Sequence, residues 1–237
     1  LTSIPDKAKK SQETESMDKP GLNSKSLLQS QAYNYLKEQI LSKKLEENVL
    51  YSETKLAFEL GISRTPLRES LHFLSQDGYI TIIPSKGFMI RRLTEKDMKE
   101  TIQIRCAIEG FCTHEIAENK DSESARTLFS EMEGLLAGMK TVSTRSDNYA
   151  SFMEYDHQFH LKVVSFADNR EFSSIFQRLM YLIHLTTASS LAVPGRLEET
   201  ISEHESYFEN LKKGNASAAY TILINHLMMP LKMKIVR

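Results

Sequence analysis

Three groups of residues carry the chemistry this chain could do. The first is Asp156-His157-Gln158-Phe159-His160, joined by two later histidines, His204 and His226. A spacing of four stacks Asp156 and His160 on one face of a helix. One carboxylate and three imidazoles make a borderline-soft donor set, suited to zinc, nickel, manganese or iron(II). Water or an added carboxylate would complete the coordination. On spacing alone the alternative stays open, because Asp-x-x-x-His pairs are common on exposed helices and most bundle histidines are structural. The second group is Arg105 with Glu109, one helical turn later. Ile102, Cys106 and Phe111 mark their helix as largely buried, and a buried guanidinium needs a carboxylate from the chain or from a ligand. Glu109 is the internal partner at helical spacing. The third group is Arg64, Thr65 and Arg68, with Lys86 and Gly87 further on. Arginines near a helix start can hold guanine O6 and N7, or a phosphate, with two bonds. Thr65 and the helix N-terminus suit a phosphate.

Other residues of these types read as structural. His157 is next to Asp156 and points off the Asp156–His160 face. His114 and His184 have no acidic or histidine neighbour at helical spacing, though His184 could line a cavity. His72 continues the Arg64–Arg68 face but lies beyond the turns that usually reach bases. Glu69 would repel phosphate unless it turns away or pairs with an arginine. Cys106 and Cys112 share one helix, six residues and roughly 9 Å apart along its axis. A disulfide tolerates at most about 7 Å between α-carbons, so both should be free thiols, as in a cytoplasmic protein.

The elements that must position these groups follow from period and punctuation. Residues 1–26 are polar and aperiodic and read as a flexible arm. Helices are predicted over 27–43 and 52–60, the second capped by Ser52 and closed by Gly61. A third follows, with Thr65 as N-cap, Pro66 in its first turn and Leu67, Leu71 and Leu74 as its apolar stripe. Helix, glycine turn and helix form a helix-turn-helix signature. Residues 79–83 and 88–92 are β-rich around Pro84-Ser85-Lys86-Gly87, a hairpin with a four-residue loop. Together, residues 27–92 make a winged helix-turn-helix. From Thr94, whose Thr94–Asp97 stretch resembles a capping box, the chain reads as all-helical over 93–237. The helices expected there span 94–118, 121–140, 146–167, 170–190, 196–213 and 216–235. The fold class is therefore mainly α, a winged helix followed by a helical bundle.

Composition constrains the rest. The 237 residues are 41% hydrophobic and 26% charged, as in ordinary globular proteins. No run of about 18 apolar residues predicts a membrane span, and no apolar core predicts a secretory leader. The net charge of -1 argues at first against a nucleic-acid partner. The sum hides a split: residues 27–92 carry nine basic and seven acidic residues, while 93–237 carry 16 and 20. A mildly basic reader is joined to an acidic helical domain. Few phosphates would be neutralised per subunit, so the salt dependence of binding should be shallow.

These motifs resemble a known family. Glu53-x-x-Leu56-Ala57, then Leu60–Leu71 with Ser63–Leu71 as its most specific stretch, are similar to the DNA-binding domain of the GntR family of bacterial transcription regulators. Lys86-Gly87-Phe88 matches that family's wing, and the C-terminal part resembles the all-helical FCD domain of its FadR subfamily. The likeness covers about residues 28–236. It implies a divalent metal, zinc first with nickel or manganese as alternatives, held by Asp156, His160, His204 and His226. It also implies Arg105 as the group that binds an effector carboxylate, and a homodimer on a palindromic operator. Two departures stand out: Lys44 and Asn48 replace glycines usual between the first two helices, and Tyr51 replaces an aliphatic residue. A changed turn without functional consequence is expected. The expected function is a cytoplasmic, non-enzymatic regulator of double-stranded DNA, controlled by a small organic acid at a metal-containing pocket. Its rivals are a metal-dependent hydrolase carrying a winged helix, a metal sensor, and a metal-free acyl-CoA-type regulator.

Overall fold

The computed structural model describes residues 21–143 and 149–235. The arm predicted over residues 1–26 lies outside the described residues as far as residue 20. The first helix, α1 (Gly21–Leu41), starts six residues before Leu27. Polar, aperiodic residues gave no signal there, yet they extend a helix that packing further along has already nucleated. Ala32, Leu36 and Ile40 are its buried positions.

The reader is completed by α2 (Glu53–Glu59), α3 (Arg64–Gln76), β1 (Ile80–Ile83) and β2 (Gly87–Ile90). The α2 N-cap is Ser52, whose side chain accepts from the Lys55 amide as predicted. For α3 the N-cap is Ser63 rather than Thr65. Pro66 still fits, because none of the first-turn amides has an intrahelical acceptor to lose. Leu67, Leu71 and Leu74 are fully buried as predicted. Ser70 Oγ donates to the Gln29 carbonyl at 2.8 Å, tying α3 to α1.

The hairpin differs from expectation by one residue. Ile83 pairs with Gly87, so the loop is the three residues 84–86 and Gly87 belongs to β2. Tyr51 bridges to the same strand. Its amide donates to the Phe88 carbonyl at 2.8 Å and its carbonyl accepts from the Phe88 amide at 3.0 Å. The Tyr51 and Phe88 rings stack at 5.5 Å, and the Tyr51 hydroxyl accepts from the Glu46 amide. The backbone at residue 51 thus adds a third segment to the wing, and the tyrosine side chain adds the stack and the bond to Glu46. Left-handed φ values fall at Lys43 and Asn48. One position with a glycine-like backbone is therefore Asn48, and the other lies one residue before Lys44. Asparagine tolerates this region better than most residues.

The bundle comprises α4 (Glu95–Glu118), α5 (Glu123–Ser143), α6 (Tyr149–Ser165), α7 (Arg170–Leu191), α8 (Arg196–Lys212) and α9 (Ala216–Lys232). The Thr94 capping box forms, with Asp97 in the glutamate position. A helix α5 reaching Ser143 runs through part of the break expected at 141–144. Cys106 and Cys112 are free. The reader core includes Tyr181 of α7, whose ring lies 4.6 Å from Tyr79 and whose hydroxyl donates to the Arg91 carbonyl. A third cluster of Leu93, Met98, Ile102 and Leu182 fills the junction.

Two glycines test this description. Gly87 has φ +134, and a Cβ there would collide with the Tyr51 carbonyl. Gly134 is an exposed helical residue in α5 with open space around it. Gly87→Ala should cost about 1–3 kcal/mol and lower the thermal midpoint of the reader. Gly134→Ala should stabilise by about 0.5–1 kcal/mol. Differential scanning calorimetry reads both, and equal midpoints for the two variants would contradict the close approach of β2 to Tyr51.

Candidate metal centre and nucleic-acid interface

Asp156, His160, His204 and His226 converge from α6, α8 and α9, with one ligand atom from each lying within 4.8 Å of all the others. His160 Nε2 and His204 Nε2 are 3.2 Å apart. Asp156 Oδ1 is 3.5 Å from His204 Nε2 and 4.0 Å from His160 Nε2. Donors bound 2.0–2.2 Å from one ion lie roughly 3–4.3 Å from each other, so a divalent ion needs only a small contraction of this set. Asp156, His160 and His204 are buried and His226 is nearly so.

Outer hydrogen bonds fix the rings. His160 Nδ1 lies 2.6 Å from Glu109 Oε2. His226 Nδ1 lies 2.7 Å from Glu203 Oε2. A carboxylate acceptor on Nδ1 sets the tautomer that leaves the Nε2 lone pair for a metal. His204 Nδ1 is buried without a hydrogen bond. Burial, with nearby Arg105, holds His160 well below the usual histidine range. Burial, with His226 and His160, does the same to His204. Both are thus neutral imidazoles, the form that ligates. Burial raises the Asp156 and Glu109 pKa values, opposed at Asp156 first by His226 and at Glu109 by Arg105. A buried carboxyl beside three ring nitrogens is a setting that a cation would relieve.

The expected Arg105–Glu109 pair is present, Nε to Oε1 at 2.7 Å, and both are buried. Arg105 Nη2 has no partner. It belongs to the wall of a cavity of about 30 Å³, together with Asp156, His226, Thr186, Ser190 and Thr200. A second arginine, Arg196, lines the same cavity at 3% exposure, with Nε unpartnered. Its Nη1 and Nη2 grip Glu203 at 3.0 and 2.6 Å. Burial acts to raise the Glu203 pKa, but hydrogen bonds from His226 and Arg196 outweigh it and hold it at about 2. Neither Arg196 nor Glu203 was legible in the sequence. They are seven residues apart, two helical turns, and the Pro194-Gly195 turn preceding Arg196 read only as a break.

His157 and His184 stay outside the metal cluster, their rings 5.7 Å apart. They line a cavity of about 520 Å³ between α1, α6 and α7, so His184 does face one. His114 packs against Tyr220.

On the reader, Arg64, Arg68 and Lys86 are exposed around one cleft of about 160 Å³. The cleft also holds Ser52, Thr54 and Ser85, hydroxyls that sequence reasoning did not single out as contacts. Thr65 and His72 are exposed beside it, while Gly87 is buried behind Lys86. Arg68 Nε is 3.9 Å from Glu53, which can hold it ready for a stronger anion.

Comparison with known proteins agrees with both halves. Residues 28–90 match the model of bacterial regulatory proteins of the gntR family, and residues 100–228 match the FCD domain. The chain is 29% identical over 196 residues to the HTH-type transcriptional regulator YdhC of Bacillus subtilis (strain 168), covering 83% of this chain and 86% of that one. It is 27% identical over 175 residues to the gluconate operon transcriptional repressor of Bacillus licheniformis, covering 74% and 69%. Its fold resembles that of E. coli McbR/YncC with a TM-score of 0.69 at 19% identity, over 87% of this chain and 96% of that one. This chain belongs to the GntR family, a transcription regulator in which a DNA-binding winged helix is joined to an FCD effector domain.

Proposed function

We propose that the regulator works as a cytoplasmic homodimer on a palindromic operator, and that a small organic acid bound at a metal centre controls its affinity. The observation that carries this reading is the buried Asp156–His160–His204–His226 cluster sharing one cavity wall with an unpartnered arginine nitrogen. A divalent ion, zinc first with nickel or manganese as alternatives, fits the donor set. Bound there, it would offer a Lewis-acidic site to an oxygen ligand. Arg105 would take the effector carboxylate through its free Nη2 edge. Thr186 and Thr200 already donate to helix carbonyls, so their oxygens are left to accept from ligand hydroxyls. A hydroxy acid matches both demands, and gluconate is named for one similar repressor.

A cavity of about 30 Å³ admits water but no organic acid. The acid must therefore bind a more open arrangement of the bundle, and only such a difference in affinity between states can alter DNA binding. An enzyme would need a general base beside the metal. The two sequence candidates, His157 and His184, lie outside the metal cluster, their rings 5.7 Å apart, and Glu109 and Glu203 are engaged by histidines. A non-enzymatic reading follows, in keeping with relatives named as transcriptional regulators.

On DNA, α3 would enter the major groove with Arg64, Thr65 and Arg68 at its N-terminal end. Lys86 would reach the backbone from the wing tip, with Gly87 shaping the turn behind it. Arg68→Ala should abolish the shift of an operator selected from random duplexes while circular dichroism stays native. Lys86→Ala should weaken all duplexes alike and flatten the salt slope by about one. Unchanged operator affinity in Arg68→Ala would remove that residue from the interface.

Metal removal gives an independent check. Protein purified without a histidine tag should melt lower after chelation and recover with zinc, by about 2.7 kcal/mol when zinc is a hundredfold above its dissociation constant. His204→Ala should lose this response. A melting curve indifferent to chelator and to added zinc, nickel or manganese would sink the metal centre.

A further inference from the structure

Arg196 is the residue whose position calls for an explanation. It is the first residue of α8, where the helix dipole favours an anion and disfavours a cation. It is almost fully buried, and Gly195 before it supplies no side-chain cap. Burying a guanidinium at a helix start is costly on both counts. Its fork holds Glu203 in a two-bond pair, with Nη1 making a longer 3.5 Å contact to the exposed Glu199. The same Glu203 oxygen that meets Nη2 also meets His226 Nδ1. His226 is the most accessible of the three ring ligands, its side chain 12% exposed against 1% for His160 and 2% for His204. Packing therefore constrains it least, and its orientation rests most on the outer hydrogen bond.

The same order of groups occurs a second time. Arg105 holds Glu109, and Glu109 holds His160. Two arginines on different helices line one cavity, and each reaches a ring of the cluster through one carboxylate. Arg196 keeps Nε unpartnered in that wall.

We infer that Arg196 and Glu203 are positioning residues for the metal ligand His226, and that through them the cavity wall is coupled to the metal. This rests on the metal-centre reading above. Anything that draws on Arg196 changes how tightly it grips Glu203, and hence how Glu203 orients His226. By linkage, the metal then alters affinity for whatever engages Arg196 by the same factor.

The test uses the full chain without a tag and zinc alone, in competition with a chromophoric chelator. Wild-type protein comes first, since its failure to bind zinc, nickel or manganese would remove the metal centre itself and this proposal with it. Glu203→Gln, which keeps shape and loses charge, should bind zinc 10–100-fold more weakly. Arg196→Gln should fall by a comparable factor, and the double variant should lose no more than the worse single one. Glu199→Gln removes the exposed carboxylate 3.5 Å from Arg196 and should leave zinc affinity unchanged. Cobalt substitution gives a second readout, with visible absorption bands that shift in Glu203→Gln. Should Arg196→Gln fail to fold, Glu203→Gln and the cobalt spectrum still decide. Wild-type zinc affinity with an unchanged cobalt spectrum in Glu203→Gln would overturn the proposal, and so would single losses that add in the double variant.

Discussion

The effector domain is organised around a problem of buried charge. Arg105, Glu109, Asp156 and Arg196 are withdrawn from water, and Glu203 sits at their edge. Three carboxylates meet two guanidinium groups there, with His160 and His204 held neutral by burial. Isolated charges in such a place cost several kcal/mol each, so the arrangement survives only by pairing and hydrogen bonding. Two carboxylates are paired by arginines and capped by histidines. Among the described residues, the ion-pairing neighbours of Asp156 are histidine nitrogens at 3.5 and 4.0 Å. A cation there would supply the countercharge that Asp156 lacks.

That cluster lies within a helical core, and α7 is one of the helices that run from it to the reader. Thr186 and Ser190 of α7 belong to the cavity wall. One to two turns earlier, Tyr181 and Leu182 belong to the reader core and the junction. The Tyr181 hydroxyl holds the Arg91 carbonyl just after the wing, and Arg91 in turn pairs with Asp97 in the first turn of α4. On the mechanism proposed above, opening the cavity for an organic acid would displace the segment of α7 lining it. A packed helix does not deform continuously, so such a displacement would carry Tyr181 with it. The junction would thereby be a mechanical element as well as an apolar seal.

How much of this could be read in the sequence differs by type of signal. The Leu67–Leu71–Leu74 stripe and the Thr94 capping box depend on local spacing and were legible. The Asp156–His160 pair was legible as a face, while its union with His204 and His226 needed the family resemblance. Details set by contacts distant in sequence were not legible. Tyr51, 36 residues before Gly87, bridges to Phe88 and lies where a side chain on Gly87 would collide. The α3 cap moved to Ser63 because a proline in the first turn does not by itself say which of three residues precedes the helix. Arg196 and Glu203 were invisible for another reason: both lie on α8, but a pair two turns apart carries no motif, and nothing in the spacing marks its link to His226.

The reader faces the opposite electrostatic situation. Its excess of basic over acidic residues is two, too small to hold DNA by general attraction. Binding must come from few groups placed well, and the structure gathers Arg64, Arg68 and Lys86 around one cleft. Glu53 in the same cleft lowers non-specific attraction further and holds Arg68 near the position a phosphate or base would claim. An arginine that already has a partner gains less from a poor ligand than from a good one. Such a reader trades affinity for selectivity, and the proposed dimer would raise its affinity by engaging two copies at once. Dimer geometry would then be the variable that an effector domain can control. The acidic bundle contributes nothing to phosphate attraction, so its influence on DNA must pass through the position of the reader.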